Sequence, residues 1–518
     1  MFEGHPKGLW ALALANTGER FGYYTMLAVF LFFLQDNFGF SMGTSSSIQA
    51  AFLGIVYFVP LFGGMLADKF GFGKMVTSGI VIMFLGYLLL SLPLGAGAVA
   101  LGVMALALLF ICVGTGLFKG NLQVLVGNLY DDPKYSAKRD EGFSIFYMAI
   151  NLGSMFAAAV ALSIMAWAQD SLGISKGDSY HYAFAVACLS LILSIAIYYA
   201  FRKTFAHADR AKAVTGATEV VEEELTPAQT KERIICLCLV FAVVIFFWMA
   251  FHQNGITMNQ FAREYTATSE TGFMSLFLSK SLSFTEVRSF WNLLLCVITV
   301  YGVLNIFQSK TAKGKAIAAL IAVASVGVLV FKAMNVGALE PVAVEAPIFQ
   351  QFNPCFVVAL TPIIGIIFGA LAKKGKEPSS PMKIGLGMLV AAMAFVVLLV
   401  ASWSLPAAEE QAAAVAAGTA TLVSPNWLIS TYFVLTIAEL LLSPIGISFV
   451  SKVAPPKYKG MMMGGWFVAT AIGNFLIMVP GLMWGMNLSI IWGVLIGICL
   501  LSAAFIFSIL KRLEAVAK

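Results

Sequence analysis

The chain is 518 residues long, 60% hydrophobic and only 11% charged, with a mean hydropathy of +0.89. A soluble globular domain needs far more surface charge than that, so composition excludes this class from the start. The net charge of +6, spread over so few ionisable residues, reports how loops are arranged about a membrane and does not point to nucleic acid.

A membrane helix needs about 20 mostly apolar residues. Fourteen such stretches follow one another: 9–35, 46–67, 74–93, 97–129, 141–168, 181–201, 233–261, 290–307, 316–334, 353–372, 382–402, 427–451, 460–484 and 488–510. They are continuous runs, not the ten-residue alternating segments of a β-barrel, and they predict an all-α polytopic membrane protein. The first is interrupted by NTGERFGYY (16–24), which sets Glu19 beside Arg20. A charge near the bilayer centre costs at least about 2.5–3.5 kcal/mol and is tolerated where it faces a protein interior or a wet cavity. Lys119, His252, Lys332 and Glu439 complete the small intramembrane ionisable set. Lys332, near the end of its run, is expected to snorkel to the interface.

With the N-terminus placed inside, 25 of the 32 Lys and Arg fall in inside segments, and only Lys176, Arg263, Lys280 and Arg288 fall outside. That bias predicts cytoplasmic N- and C-termini. Cys112, Cys188, Cys236, Cys238, Cys296, Cys355 and Cys499 all sit in apolar runs, which suits small core residues better than disulfides or metal ligands. The first apolar stretch is too long for a cleavable signal peptide.

The long polar segment 202–232 separates six runs from the rest. It predicts three parts: a six-helix bundle over 1–201, a flexible linker over 202–232, and a second bundle over 233–518 carrying an inserted helical hairpin at about 290–334. Two bundles joined this way are the plan of a transporter whose substrate binds at the midplane between halves. GGMLADKFGFGK (63–74) resembles the loop between the second and third helices of the major facilitator superfamily, with Gly64 for close helix approach and Asp68 as an inner-gate residue. GALAKKGK (369–376) repeats the spacing, with Lys373 in the place of Asp68.

NTGERFGYYTM resembles the signature E-x-x-E-R-F-x-Y-Y-G-M of the proton-dependent oligopeptide transporter family. FYMAINLGS (146–154), GTGLFKGN (114–121), FWMAFHQNG (247–255), FNPCFVVALTP (352–362), GKEPSSPMKIGLG (375–387) and TIAELLLSPIGISFVSKVAPPKYKGMMMGGWF (436–467) are similar to further family motifs, so the resemblance runs from residue 16 to about 475. It implies the major facilitator fold, with 12 core helices and a two-helix insertion, and proton-coupled import of di- and tripeptides.

Chemistry agrees with that expectation. A zwitterion has a carboxylate at one end and an ammonium at the other. Arg20 offers a bidentate grip for the carboxylate, Lys119 a point charge, and Glu439 an acceptor for the ammonium; the resemblance implies these same roles. Helical spacing puts Asn16, Arg20 and Tyr24 on one broad face, with Glu19 and Tyr23 alongside. Tyr57, Asn151, Asn353 and Trp466 match family positions that contact the peptide. The plainer reading of Glu19 with Arg20 or Lys119 is a static buried salt bridge.

The chain departs from the family pattern in places. Asn16 stands where the family has its first glutamate, His252 replaces the seventh-span acid, and Leu27 replaces a base with which that acid pairs as an extracellular gate. Glu19 with Lys119, Glu439 and His252 are the remaining proton-coupling candidates; for His252 a bond to Gln253 or to backbone is the alternative. No cofactor is expected beyond the proton as coupling ion. The expected partners are small peptides and the lipid bilayer, with no nucleic acid, and the expected setting is a bacterial inner membrane, with the chain working as a monomer. A carrier of another anionic or zwitterionic solute, such as nitrate or an amino-acid derivative, and a non-transporting receptor stay open. An enzyme is not expected, since neither G-x-S-x-G nor H-E-x-x-H occurs.

Overall fold

The computed structural model describes residues 4–209, 225–455 and 458–517, without the side chains of Asp68, Ala137, Asp140 and Lys459. The gate role expected of Asp68 therefore lies outside the described side chains. A first bundle is built from α1 (Lys7–Phe38), α2 (Met42–Phe58), α3 (Pro60–Phe70), α4 (Phe72–Leu90), α5 (Ala98–Asn128), α6 (Arg139–Leu172) and α7 (Lys176–Ala200). The second starts with α8 (Pro227–Phe251), which passes through one 3₁₀ turn (His252–Gly255) into the short α9 (Thr257–Glu264). The hairpin α10 (Trp291–Gln308) and α11 (Ala312–Val336) follows, then α12 (Phe352–Lys373), α13 (Ser380–Ala401), the short α14 (Ala408–Ala416), α15 (Pro425–Val453), α16 (Lys459–Leu476), α17 (Met478–Leu482), α18 (Leu488–Ser508) and α19 (Leu510–Ala517).

Among the described residues, thirteen helical segments are long and apolar enough to cross a membrane. α1, with 32 residues, is a further long helix, and its polar run NTGER lowers its hydropathy. Local sequence sets the ends. Gly39 adopts φ 68° and terminates α1, its N–H returning to the carbonyls of Gln35 and Leu34; a left-handed residue costs glycine least. A Thr226–Gln229 capping box with Pro227 at the first position starts α8, six residues ahead of the apolar run that predicts it.

α1 lies against α6 and α7, and α13 against α15 and α18, while the bundles meet along α2 with α16 and α17 and along α6 with α12. Lipid gives apolar faces no reason to associate, so close backbone approach and polar contacts position the helices. The end of the molecule where Gly8 meets Phe205, and where Arg512 of α19 donates to both Glu232 oxygens at 2.5 and 2.9 Å, is called the linker face below; the opposite end is the distal face.

Two expectations are revised. The expected linker does not begin free at 202: Phe205 is buried, Asn128 Nδ2 donates to the Ala208 carbonyl at 2.9 Å, and Asp209 accepts from the Gly73 N–H at 2.7 Å. These anchors fasten 202–209 to the first bundle, and residues 210–224 of the expected linker lie outside the described residues. Lys332 does not snorkel. It is buried, with Nζ donating to the Glu286 carbonyl and to Asn292 Oδ1, both at 2.9 Å, because the loop before α10 folds over the end of α11. The hairpin packs at the edge of the second bundle against α12, and a two-stranded ladder, β1 (Ser269–Glu270) with β2 (Val342–Ala343), closes its base.

Candidate substrate site

The middle of α1 is held by α6. Thr17 Oγ1 donates to the Ala149 carbonyl at 3.0 Å, and a Cβ at Gly153 would lie 2.6 Å from the Thr17 carbonyl. The glycine of FYMAINLGS thus allows α6 to press on α1 one turn from the charges. There Arg20 donates from Nε and Nη2 to the two oxygens of Glu19, each at 2.5 Å, with both residues buried. The plainer reading of that pair is therefore present in this state. A bidentate pair consumes two donors of the Arg20 fork, and the Arg20 guanidinium also lies 4.5 Å over the Tyr23 ring.

Lys119 is placed differently. α5 brings its Nζ 4.1 Å over the Tyr57 ring of α2, a cation–π contact, and no carboxylate pairs with it among the described residues. Tyr23 and Tyr24 stand edge to face at 5.3 Å and extend the aromatic lining along α1. At the centre of the first bundle, among the described residues, Arg20 is thus neutralised by Glu19 while Lys119 makes no ion pair.

The second bundle presents the converse. Glu439, on α15, is 7% exposed and accepts from Asn353 Nδ2 of α12 at 2.9 Å and from the Tyr147 hydroxyl of α6 at 3.5 Å. No cation pairs with it among the described residues. Asn353 also donates to Thr436 Oγ1 at 3.1 Å, which fixes its amide toward the carboxylate. Neutral donors stabilise a buried carboxylate only in part, so Glu439 is a buried carboxylate held without a counter-charge among the described residues. Asn151 turns its Nδ2 to the Tyr147 carbonyl of its own helix at 3.1 Å.

His252 stands at the same seam. Its ring stacks on Trp248 at 5.0 Å, lies 6.3 Å from the Tyr57 ring, and bonds through Nδ1 to Asn474 Oδ1 at 2.5 Å. The alternative of a bond to Gln253 is not the one made, since Gln253 donates to the Met249 and Ile477 carbonyls instead. Asn474 and Tyr147 were not singled out from sequence, although an Asn inside the apolar run TAIGNFL is itself a signal. Trp466 is not brought to the group. It is 2% exposed, and a Cβ at Gly446 of α15 would lie 2.2 Å from its ring, so in this state it packs between α15 and α16. The orphaned Nδ2 of Asn16 is buried, with no acid at that position for the proton that the family glutamate would take.

A family model described as PTR2, the POT family, matches residues 73–221 and 323–480. The chain belongs to the POT family. It is 28% identical to the uncharacterized transporter YclF of Bacillus subtilis over 483 residues, 91% of this chain and 86% of that one. It is 29% identical to the peptide transporter YePEPT of Yersinia enterocolitica over 492 residues, covering 91% and 87%. A di-/tripeptide transporter of Lactococcus lactis is 26% identical, covering 90% and 87%. Among solved structures, a POT peptide transporter in complex with alafosfalin aligns with a TM-score of 0.72 at 23% identity, covering 100% and 97% of the two chains. A POT family transporter in complex with 5-aminolevulinic acid aligns with 0.71 at 20%, covering 100% and 98%. These likenesses establish the major facilitator fold for this POT chain, and its family is one of transporters, not enzymes.

Proposed function

We propose that this POT protein carries di- and tripeptides by alternating access, with Lys119 and Arg20 receiving the peptide carboxylate and Glu439 the amino terminus. The observation that carries this reading is that, among the described residues, Lys119 in one bundle and Glu439 in the other make no ion pair. A zwitterion bridging them supplies each with its missing opposite charge and draws the bundles together. Asn353 and Asn151 offer amide groups that meet peptide backbone, which is common to all side chains, so broad acceptance follows. Tyr23, Tyr24 and Tyr57 line the path, and Trp466 reaches substrate only after α16 moves against α15.

Proton coupling belongs to the same proposal. Glu439 without a substrate ammonium returns across the low-dielectric centre at lower cost when it carries a proton. Glu19 with Lys119 forms a second titrating group that responds when a substrate carboxylate arrives, and His252 is the third candidate. The linker face is assigned to the cytoplasm of a bacterial inner membrane, in keeping with the Lys/Arg bias.

The test is uptake of labelled dialanine into proteoliposomes with and without an inward proton gradient, beside Arg20→Ala and Glu439→Gln. Gradient-dependent accumulation lost in both variants is the expected result. Exchange that persists without gradient-driven accumulation would remove coupling from the proposal, and no peptide transport at all would overturn the reading.

A further inference from the structure

The outer gate implied by family resemblance is absent from this chain in its usual place, where Leu27 and His252 stand. The 32 residues of α1, about 48 Å of helix, nevertheless end in a charged cluster. At the distal end of the first bundle, Asp36 accepts from Arg263 Nη2 of α9, from the Tyr180 hydroxyl of α7 at 2.7 Å, and pairs with Lys176 of α7 at 3.0 Å. Arg263 Nη1 donates to Gln35 Oε1 at 3.0 Å, and its guanidinium lies 4.8 Å over the Phe32 ring. Gln35 Nε2 donates to Gln260 Oε1 of α9 at 3.0 Å, while Gln260 Nε2 donates to Glu264 Oε1 at 2.5 Å. Glu264 also accepts from Trp484 Nε1 at 2.9 Å.

From this arrangement we infer that Asp36 and Arg263 are the distal gate latch of the transport cycle, reversed in polarity and moved about two and a half to three turns outward from the family position. The inference rests on the alternating-access reading above. Its basis is how each group is partnered. Asp36 keeps Lys176 and Tyr180, both in its own bundle, when Arg263 withdraws. Gln260 likewise keeps Glu264 of its own helix when it loses Gln35. Gln35 keeps Met42 Sδ of its own bundle at 3.4 Å. Arg263, whose partners Asp36, Gln35 and Phe32 all lie on α1, has a side chain 32% exposed and passes to water, so opening strands no buried charge, the outcome that makes broken ion pairs costly. The rest of the distal seam is built to separate as well. Gln49 and Asn259 are each 1% exposed, yet Gln49 Oε1 and both polar atoms of the Asn259 side chain have no partner. Such groups gain hydrogen bonds from water on opening.

The test is the rate at which a maleimide labels the Gln49→Cys variant, in nanodisc-held full-length protein without substrate. The labelling of the unaltered protein is subtracted as background. Arg263→Gln is expected to accelerate labelling at least about fivefold, the shift produced by removing an ion pair worth roughly 1 kcal/mol. Asp36→Asn is expected to act in the same direction, and keeps the test decisive if Arg263→Gln does not fold. Lys176→Gln, which removes the partner within the bundle, is expected to leave the rate unchanged. Unchanged labelling in the Asp36 and Arg263 variants, or equal acceleration by Lys176→Gln, would overturn the latch. Failure of the unaltered protein to carry dialanine would count against the peptide reading alone, since labelling is read without substrate.

Discussion

At the distal seam Asp36 and Arg263 face each other from different bundles, whereas at the centre, among the described residues, neither Lys119 nor Glu439 makes an ion pair. The same two bundles thus meet through a filled pair at one level and an unfilled pair at another. The contrast supports the proposed division between a gate and a substrate seat. A filled cross-bundle pair holds an entrance shut at the modest cost of a partly exposed ion pair. An unfilled one leaves an energetic gap that a ligand of the right charge closes. Glu19 with Arg20 belongs to neither kind, because both partners lie on α1 and move together.

That distinction can be broken by substitution. The largest effect is expected for Glu19→Gln, which leaves the buried Arg20 without its counter-charge; stranding one member of a buried pair costs about 3–5 kcal/mol. The purified protein should melt well below wild type, and an unchanged melting temperature would mean that Arg20 already has another partner. Glu439→Gln should behave in the opposite way. Dialanine affinity should fall about 10-fold to 100-fold, the worth of a charge-assisted hydrogen bond, while thermal stability stays level or rises, since an unpaired buried charge is removed. Lys119→Gln should lower affinity to a similar degree. Reduced stability in either variant would show these charges to be structural. The smallest effect is expected at His252. His252→Gln keeps a hydrogen-bonding group for Asn474 and should change affinity by less than about fivefold, within the net worth of one neutral hydrogen bond. The coupling role proposed for it predicts a displaced pH profile of uptake, and an unaltered profile would remove it from the proton path.

Much of the architecture was legible in the sequence because hydropathy in a membrane protein is a direct reading of which segments cross. The runs 290–307 and 316–334 match α10 and α11 closely, and NTGER marked α1 as lining something other than lipid. Lys119 and Glu439 could be named because an ionisable residue inside an apolar run has few structural explanations. What sequence did not disclose is pairing. That Arg20 turns to its neighbour Glu19, that Trp466 packs on Gly446, and that Lys332 is covered by the loop before α10 all depend on side-chain direction and on loop paths, which have no periodic signal. The distal latch was missed for a related reason. Asp36 and Arg263 lie 227 positions apart, and each sits at a helix end, where charge is ordinary.

The measurement closest to the central claim compares binding of dialanine and N-acetyl-dialanine to wild type and to Glu439→Gln. Acetylation removes the ammonium that Glu439 is held to receive. The account predicts that acetylation weakens binding to wild type at least about tenfold, roughly 1.4 kcal/mol, and makes little difference in the variant. An equal loss in both proteins would place the amino terminus elsewhere and contradict the claim that the unfilled pair across the bundles is the peptide's seat.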